Sequence, residues 1–255
     1  MLDFFSILFT GEGIFYLVML TLLEIVLGID NIIFISIVTD KLEERQKKLA
    51  RNIGLSLALV IRLILLSVVG YIMGMTNSFF PDSQYEVLRS FSGQSVVLLL
   101  GGLFLIYKST SEMSATMKGE DHHETKAKKG LKAIILQIIL IDIVFSFDSI
   151  ITAIGMTNEI GHGDPKNHPM VIIFGAVIIS MVIMLIFAKA ISNFINARPT
   201  IKMLALAFLV TIGVILVAEA FGQHVPKGYI YFAMVYALIV EFFNIRMRKN
   251  KGVIE

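Results

Sequence analysis

The chain has 255 residues, 56% of them hydrophobic and 16% charged, with a mean hydropathy of +0.81 and a net charge of +2. Soluble domains carry about 25% charged residues, so this composition excludes an ordinary soluble globular protein, and it offers no dense basic face for a nucleic acid. Cysteine is absent, which excludes a disulfide framework and any thiolate metal site.

The first residues, MLDFFSILF, lack a basic n-region and a small-residue cleavage site, so they read as an interfacial segment rather than a secretory signal. Seven apolar blocks follow, near 13–38, 53–75, 93–107, 133–155, 169–188, 203–221 and 229–245. A bilayer core of about 30 Å needs roughly 20 helical residues. Only helices or closed barrels satisfy their backbone groups in lipid. Uninterrupted apolar runs without two-residue alternation point to helices. The expected fold class is therefore an all-α membrane protein with seven transmembrane helices.

Basic residues fall unevenly between these blocks. Lys41, Arg45, Lys47, Lys48 and Arg51 follow the first. Six more, Lys108 to Lys132, follow the third. Lys189, Arg198 and Lys202 flank the gap after the fifth, and Arg246, Arg248, Lys249 and Lys251 follow the seventh. The opposite side has only Arg89, Lys166 and Lys227. By the positive-inside rule the N-terminus is outside and the C-terminus cytoplasmic. Arg62 is left over, in the middle of the second block.

Two stretches 118 positions apart are nearly the same. Glu24–Ile32 reads EIVLGIDNI and Asp142–Ile150 reads DIVFSFDSI. Each opens with a carboxylate, carries a second six residues later (Asp30, Asp148) and then a small polar residue (Asn31, Ser149). They lie in the first and fourth blocks. An odd number of spans separates them, so the second copy enters the membrane in the opposite sense. This implies two inverted three-helix repeats, 13–107 and 133–221, a cytoplasmic linker at 108–132 and an extra seventh helix at 229–245, all within one transmembrane domain. Glu112 and Glu219, ending the third and sixth spans, are a weaker match of the same kind. Inverted repeats with a midplane site are a recurring transporter plan.

Carboxylates at membrane depth are costly and mark function by default. The metal-ligand candidates are Glu24, Asp30, Asn31, Asp142, Asp148 and Ser149. These are hard oxygen donors with no imidazole at membrane depth, a set suited to Mn²⁺, Ca²⁺ or Mg²⁺. The carboxylates cannot all be ionised at close range without protons, a metal or a counter-ion, and Arg62 is the charge-balancing candidate. Swapping protons for metal would make a proton-coupled antiporter. On a straight helix, residues six apart are offset by about 120°. A kink or unwinding at Gly28 and at the equivalent Ser146 is therefore expected, to let both acids of a motif reach one site. Glu219 and Glu241 are candidates for a gate or proton path, against the plainer reading of interfacial solvation.

The strings EIVLGIDNIIFI and LIDIVFSFDSIITAIGM resemble the TerC family of integral membrane proteins. So do GGLFLIYKSTSEM (Gly101–Met113) and the long segment Phe208–Asn244. The resemblance implies a bacterial inner-membrane protein of the LysE-type transporter group, built from duplicated three-helix units and associated with manganese efflux and tellurium resistance. It assigns the ion site to the same six residues. The expected function is export of a divalent cation, Mn²⁺ in preference to Ca²⁺, with membrane lipid and the metal ion as partners, no prosthetic group and no enzymatic activity. The alternative is a non-transporting membrane partner in stress or tellurite resistance or in membrane-protein biogenesis. An intramembrane aspartyl protease is disfavoured because GID and SFD replace the motifs it needs. A retinal-type pump is disfavoured because 229–245 has no lysine. The EDHHE run (Glu120–Glu124), His162, Asp164 and His168 read as solvated loops.

Overall fold

In the computed structural model the described residues are 10–40, 42–68, 77–81, 84–85, 91–118, 131–157, 169–223 and 225–250, the side chains of a few helical residues excepted. The initial residues 1–9, Arg89, Lys166 and the histidine-bearing stretches 120–124 and 162–168 lie outside them. The described residues form seven helices: α1 (Gly11–Thr39), α2 (Glu44–Ser67), α3 (Gly93–Met117), α4 (Leu131–Thr157), α5 (Pro169–Asn196), α6 (Pro199–Ala220) and α7 (Lys227–Asn250). Six of them are long and apolar enough to cross a membrane. The remaining one, α4, has 27 residues and carries the second acidic motif.

Local chemistry sets the helix ends. Thr10 caps α1 by accepting the Gly13 amide at 3.0 Å. Asp40, just past the other end, accepts from Lys47 Nζ at 3.1 Å, which ties α1 to the first turn of α2. Pro199 opens α6 at the position where its missing N–H is no loss. Gly222 closes α6 with φ 78°, and the Gly222 and Gln223 amides return to the Glu219 and Ala218 carbonyls at 3.0 Å. A Cβ would be strained at that φ, so glycine stands there.

Several boundaries differ from those read in the sequence. Helix α2 begins at Glu44, so Arg45, Lys47, Lys48 and Arg51 ride its first turns instead of forming a loop. Helix α3 runs ten residues past the expected end, to Met117. Lys108 and Glu112 are consequently inside a helix and buried, paired at 3.4 Å one turn apart. Lys202 is likewise buried in α6. These two lysines are not the loop charges that the span tally took them to be: Lys108 lies well inside α3 and Lys202 in the first turn of α6. No break occurs at Gly28 or Ser146, since α1 and α4 are continuous α-helices through both.

The chain divides into two compact units. The first comprises Met1–Asn77, Ser92–Gln94 and Ala127–Ser192, and the second Ser78–Phe91, Ser95–Lys126 and Asn193–Glu255. Each therefore mixes helices from both halves of the sequence. The first unit is built on α1, α2, α4 and α5, with α4 packed against both α1 and α2. The second is built on α3, α6 and α7.

Helix packing in lipid relies on close backbone approach, because hydrocarbon is as apolar as a leucine face. In the second unit Gly102 and Gly213 supply that approach. A Cβ on Gly102 would lie 2.7 Å from the Gly213 carbonyl oxygen, and one on Gly213 would lie 2.9 Å from that of Gly102. In the first unit a Cβ on Gly28 would overlap the Met184 thioether of α5. Gly28 is thus a packing notch, which explains a glycine there without a kink. Nearby, Ser36 of α1 donates to Ser192 Oγ at 3.0 Å. Outward side chains such as Leu100, Ile186 and Phe232 are exposed, as suits lipid contact.

The two notches differ in what stands opposite. Gly102→Ala meets backbone and should cost about 1–3 kcal/mol, the usual range for overpacking. Gly28→Ala meets the flexible end of a methionine and should cost less. Thermal unfolding of the two variants in detergent checks the order.

Candidate functional site

The sequence places the polar residues Thr21, Glu24 and Asn31 at helical spacing along one stripe of α1, with Gly28 between the last two. Asp142, Ser146 and Ser149 form the matching stripe on α4. Arg62 projects from α2, and all these polar side chains are buried. At 1–3% exposure, Glu24, Arg62 and Asp142 are removed from solvent almost completely.

Arg62 is the hub. Its Nη1 donates to Glu24 Oε2 at 2.5 Å, its Nε donates to Ser146 Oγ at 3.0 Å, and its Nη2 stands 3.6 Å from Asp142 Oδ1. Asn31 Nδ2 donates to the same Asp142 Oδ1 at 2.8 Å. The Ser146 hydroxyl in turn donates a hydrogen bond to Asp142 Oδ2 at 3.3 Å. Both oxygens of Asp142 are thereby engaged. Ser149 neighbours the Glu24 carboxylate and donates to the Ser146 carbonyl at 3.3 Å. The planar guanidinium suits this task because its donors form a fixed fork.

The two motifs run past one another in opposite directions. Asn31 meets Asp142 at one level, and Glu24 neighbours Ser149 at the other.

Three acceptor oxygens on the α1 stripe take no hydrogen bond among the described residues: Thr21 Oγ1, Glu24 Oε1 and Asn31 Oδ1. Buried oxygens with spare lone pairs are uncommon in native structures, and each calls for an explanation. They are hard donors, the type that a divalent cation of the Mg²⁺, Ca²⁺ or Mn²⁺ class accepts.

The remaining sequence candidates fall elsewhere. Asp30 is buried, on a face of α1 offset by about 120° from Glu24 because the helix does not break between them. The Asp148 side chain lies outside the described residues. Glu219 and Glu241 belong to the second unit, where Glu219 is half-buried and Glu241 Oε2 accepts from Asn244 at 3.4 Å. Among the described residues no three His, Asp or Glu side chains converge as a metal cage. Arg62 stands between Glu24 and Asp142 instead. Sequence reading missed Ser146 and Thr21 as polar members of the site. Their signal was the spacing, since Ser146 is one turn from Asp142 and Thr21 lies one turn before Glu24.

A buried pair is costly to break from one side, because the remaining charge is stranded. Arg62→Gln should lower stability by about 3–5 kcal/mol. The double variant Glu24→Gln with Arg62→Gln should recover part of that loss. A double-mutant cycle on unfolding midpoints in detergent measures the coupling.

Comparison with known proteins adds to this geometry. Residues 9–252 match the profile of the Integral membrane protein TerC family. A UPF0053 protein of Haemophilus influenzae is 45% identical over 235 residues, covering 91% of this chain and 93% of that protein. The UPF0053 inner membrane protein YgdQ of Escherichia coli is 44% identical over 233 residues, covering 91% of this chain and 92% of that protein. The UPF0053 inner membrane protein YoaE of the same species is 41% identical over 236 residues, but these are 92% of this chain and only 43% of YoaE. No solved structure matches the chain.

Proposed function

The chain belongs to the TerC family of integral membrane proteins, and from that premise we propose that it is a transporter of divalent cations, exporting Mn²⁺ through the acidic site of the first unit. One observation carries the reading. Carboxylates from both motifs are buried at mid-helix around a single guanidinium, beside acceptor oxygens that take no hydrogen bond. Glu24, Asp142 and Arg62 alone sum to one negative charge. An excess of negative charge in a dry interior needs a mobile cation or protons to balance it.

In this reading Glu24, Asn31, Asp142 and Ser149 supply oxygen ligands to the passing ion at one level, and Asp30 and Asp148 would meet it elsewhere along its path. Arg62 holds the acids in place when the ion is gone. Protons taking the place of the metal would couple export to the proton gradient. The fold lends support through its interleaving. The first unit draws α1 and α2 from one half and α4 and α5 from the other, and the second draws α3 and α6 from the two halves. This is the distribution that two inverted three-helix repeats would give, with α7 as an addition. We place the protein in a bacterial inner membrane, with the N-terminus outside and the C-terminus in the cytoplasm.

Two experiments test the proposal. In liposomes loaded with a metal-quenched dye, wild type should admit Mn²⁺, and Asp142→Asn should slow that influx at least about tenfold, equivalent to about 1.4 kcal/mol at the barrier. Equal rates for the two proteins would remove the site from the mechanism. If wild type moves no cation although folded, transport itself is wrong and a partner role in the membrane gains. For orientation, the absence of native cysteine allows a single cysteine at Lys251. In intact cells it should resist an impermeant thiol reagent and react after lysis.

A further inference from the structure

The divalent-transport reading leaves one feature unexplained, namely why a cation carrier should keep a permanent positive charge inside its own site. Arg62 occupies the position that an arriving ion would need. Its Nη1 is on Glu24 Oε2 and its Nη2 is 3.6 Å from Asp142 Oδ1, so the guanidinium spans acids of both motifs. Its Nε rests on Ser146 Oγ at 3.0 Å, a neutral anchor that itself donates to Asp142 Oδ2 at 3.3 Å. The two terminal nitrogens can therefore leave the acids while the Nε bond still satisfies part of the group.

We infer that Arg62 is a tethered competitor for the ion site and acts as a valence filter, yielding Glu24 and Asp142 to a divalent cation but not to Na⁺ or K⁺. The inference rests on the proposed function and specifies its selectivity. The physical argument is one of exchange. A monovalent ion that replaces the guanidinium exchanges one unit charge for another. It gains no Coulomb energy to offset its own dehydration and the loss of the Arg62 hydrogen bonds. A divalent ion at the same distance has twice the attraction for each carboxylate, and because its dehydration also costs more than a monovalent ion's, that gain decides only where enough oxygen ligands replace its water. Glu24 Oε1 and Asn31 Oδ1, which take no hydrogen bond among the described residues, favour the arriving ion further because they can accept a metal without first losing a partner. A built-in cation also screens the acids in the empty site, so that the empty carrier is not left with bare like charges. The apparent affinity for any ion is reduced by the fraction of molecules in which Arg62 holds the acids. Mn²⁺ binding in the wild type is thus weaker than the bare oxygens would allow, and more selective.

The test is Mn²⁺ binding by purified full-length protein, read from the loss of the free Mn²⁺ electron paramagnetic resonance signal. Titrations are run in NaCl, KCl and N-methylglucamine chloride at equal ionic strength. Wild type should bind Mn²⁺ equally in all three. Arg62→Gln should bind about tenfold tighter in N-methylglucamine, as expected when a competitor that held the acids in about nine of ten molecules is removed. It should also weaken at least about tenfold when Na⁺ or K⁺ is substituted. Arg62→Lys keeps the charge but not the fork. It should bind a few-fold tighter than wild type and remain indifferent to Na⁺. Should Arg62→Gln fail to fold, Arg62→Lys decides, and affinity equal to or below wild type overturns the inference. A folded Arg62→Gln that binds no tighter than wild type and ignores Na⁺ also overturns it, leaving Arg62 a structural counter-ion and the transport reading intact. Failure of every protein, wild type included, to bind Mn²⁺ overturns the inference together with the transport reading.

Discussion

The arrangement of the first unit depends on one charge placed where water cannot reach it. Arg62 is buried in the apolar second half of α2, and its guanidinium is shared among Glu24, Ser146 and Asp142. A buried charge without partners costs several kcal/mol, so α1, α2 and α4 must meet at this level. The apolar surfaces around it do not fix register by themselves. Hydrocarbon faces slide past one another at little cost, and α4 is apolar nearly all round. The guanidinium fork and the Asn31–Asp142 bond supply the missing specification.

Glycine and serine do the complementary work of setting distance. Gly28 receives the Met184 thioether, and Ser36 reaches Ser192 across the α1–α5 contact. Gly102 and Gly213 let two backbones approach in the second unit. Polar groups choose which residues stand level, while small residues decide how near the axes come. Neither would suffice alone in lipid, where association has no hydrophobic driving force.

The seven helices and the twin acidic motifs were legible in the sequence because they rest on composition and spacing. Long apolar runs announce spans, and a carboxylate within one announces a site. Arg62 stood out for the same reason. The helix ends were less legible. The basic residues of α2 and the Lys108–Glu112 pair are compatible with either helix or loop, and it is packing that extends the helix through them. Gly28 was the instructive error. A glycine between two acids reads as a hinge when only one helix is considered, yet α5 supplies Met184 to fill the notch, and the helix stays straight-through. That partner is 156 residues away in the chain, and no local pattern reveals it. Continuity of α1 in turn explains why Glu24 and Asp30 face different directions.

The interleaved make-up of the first unit has a consequence for how the chain enters the bilayer. Arg62 emerges from the ribosome soon after Glu24 but 84 residues before Ser146. Its earliest available partner is therefore the acid on the preceding helix. The α1–α2 hairpin can enter lipid as an ion-paired unit, with the guanidinium already quenched by Glu24, and wait there for α4. Insertion of the two helices one at a time would strand a lone ion in hydrocarbon, so translation order and charge pairing together favour their delivery as a pair.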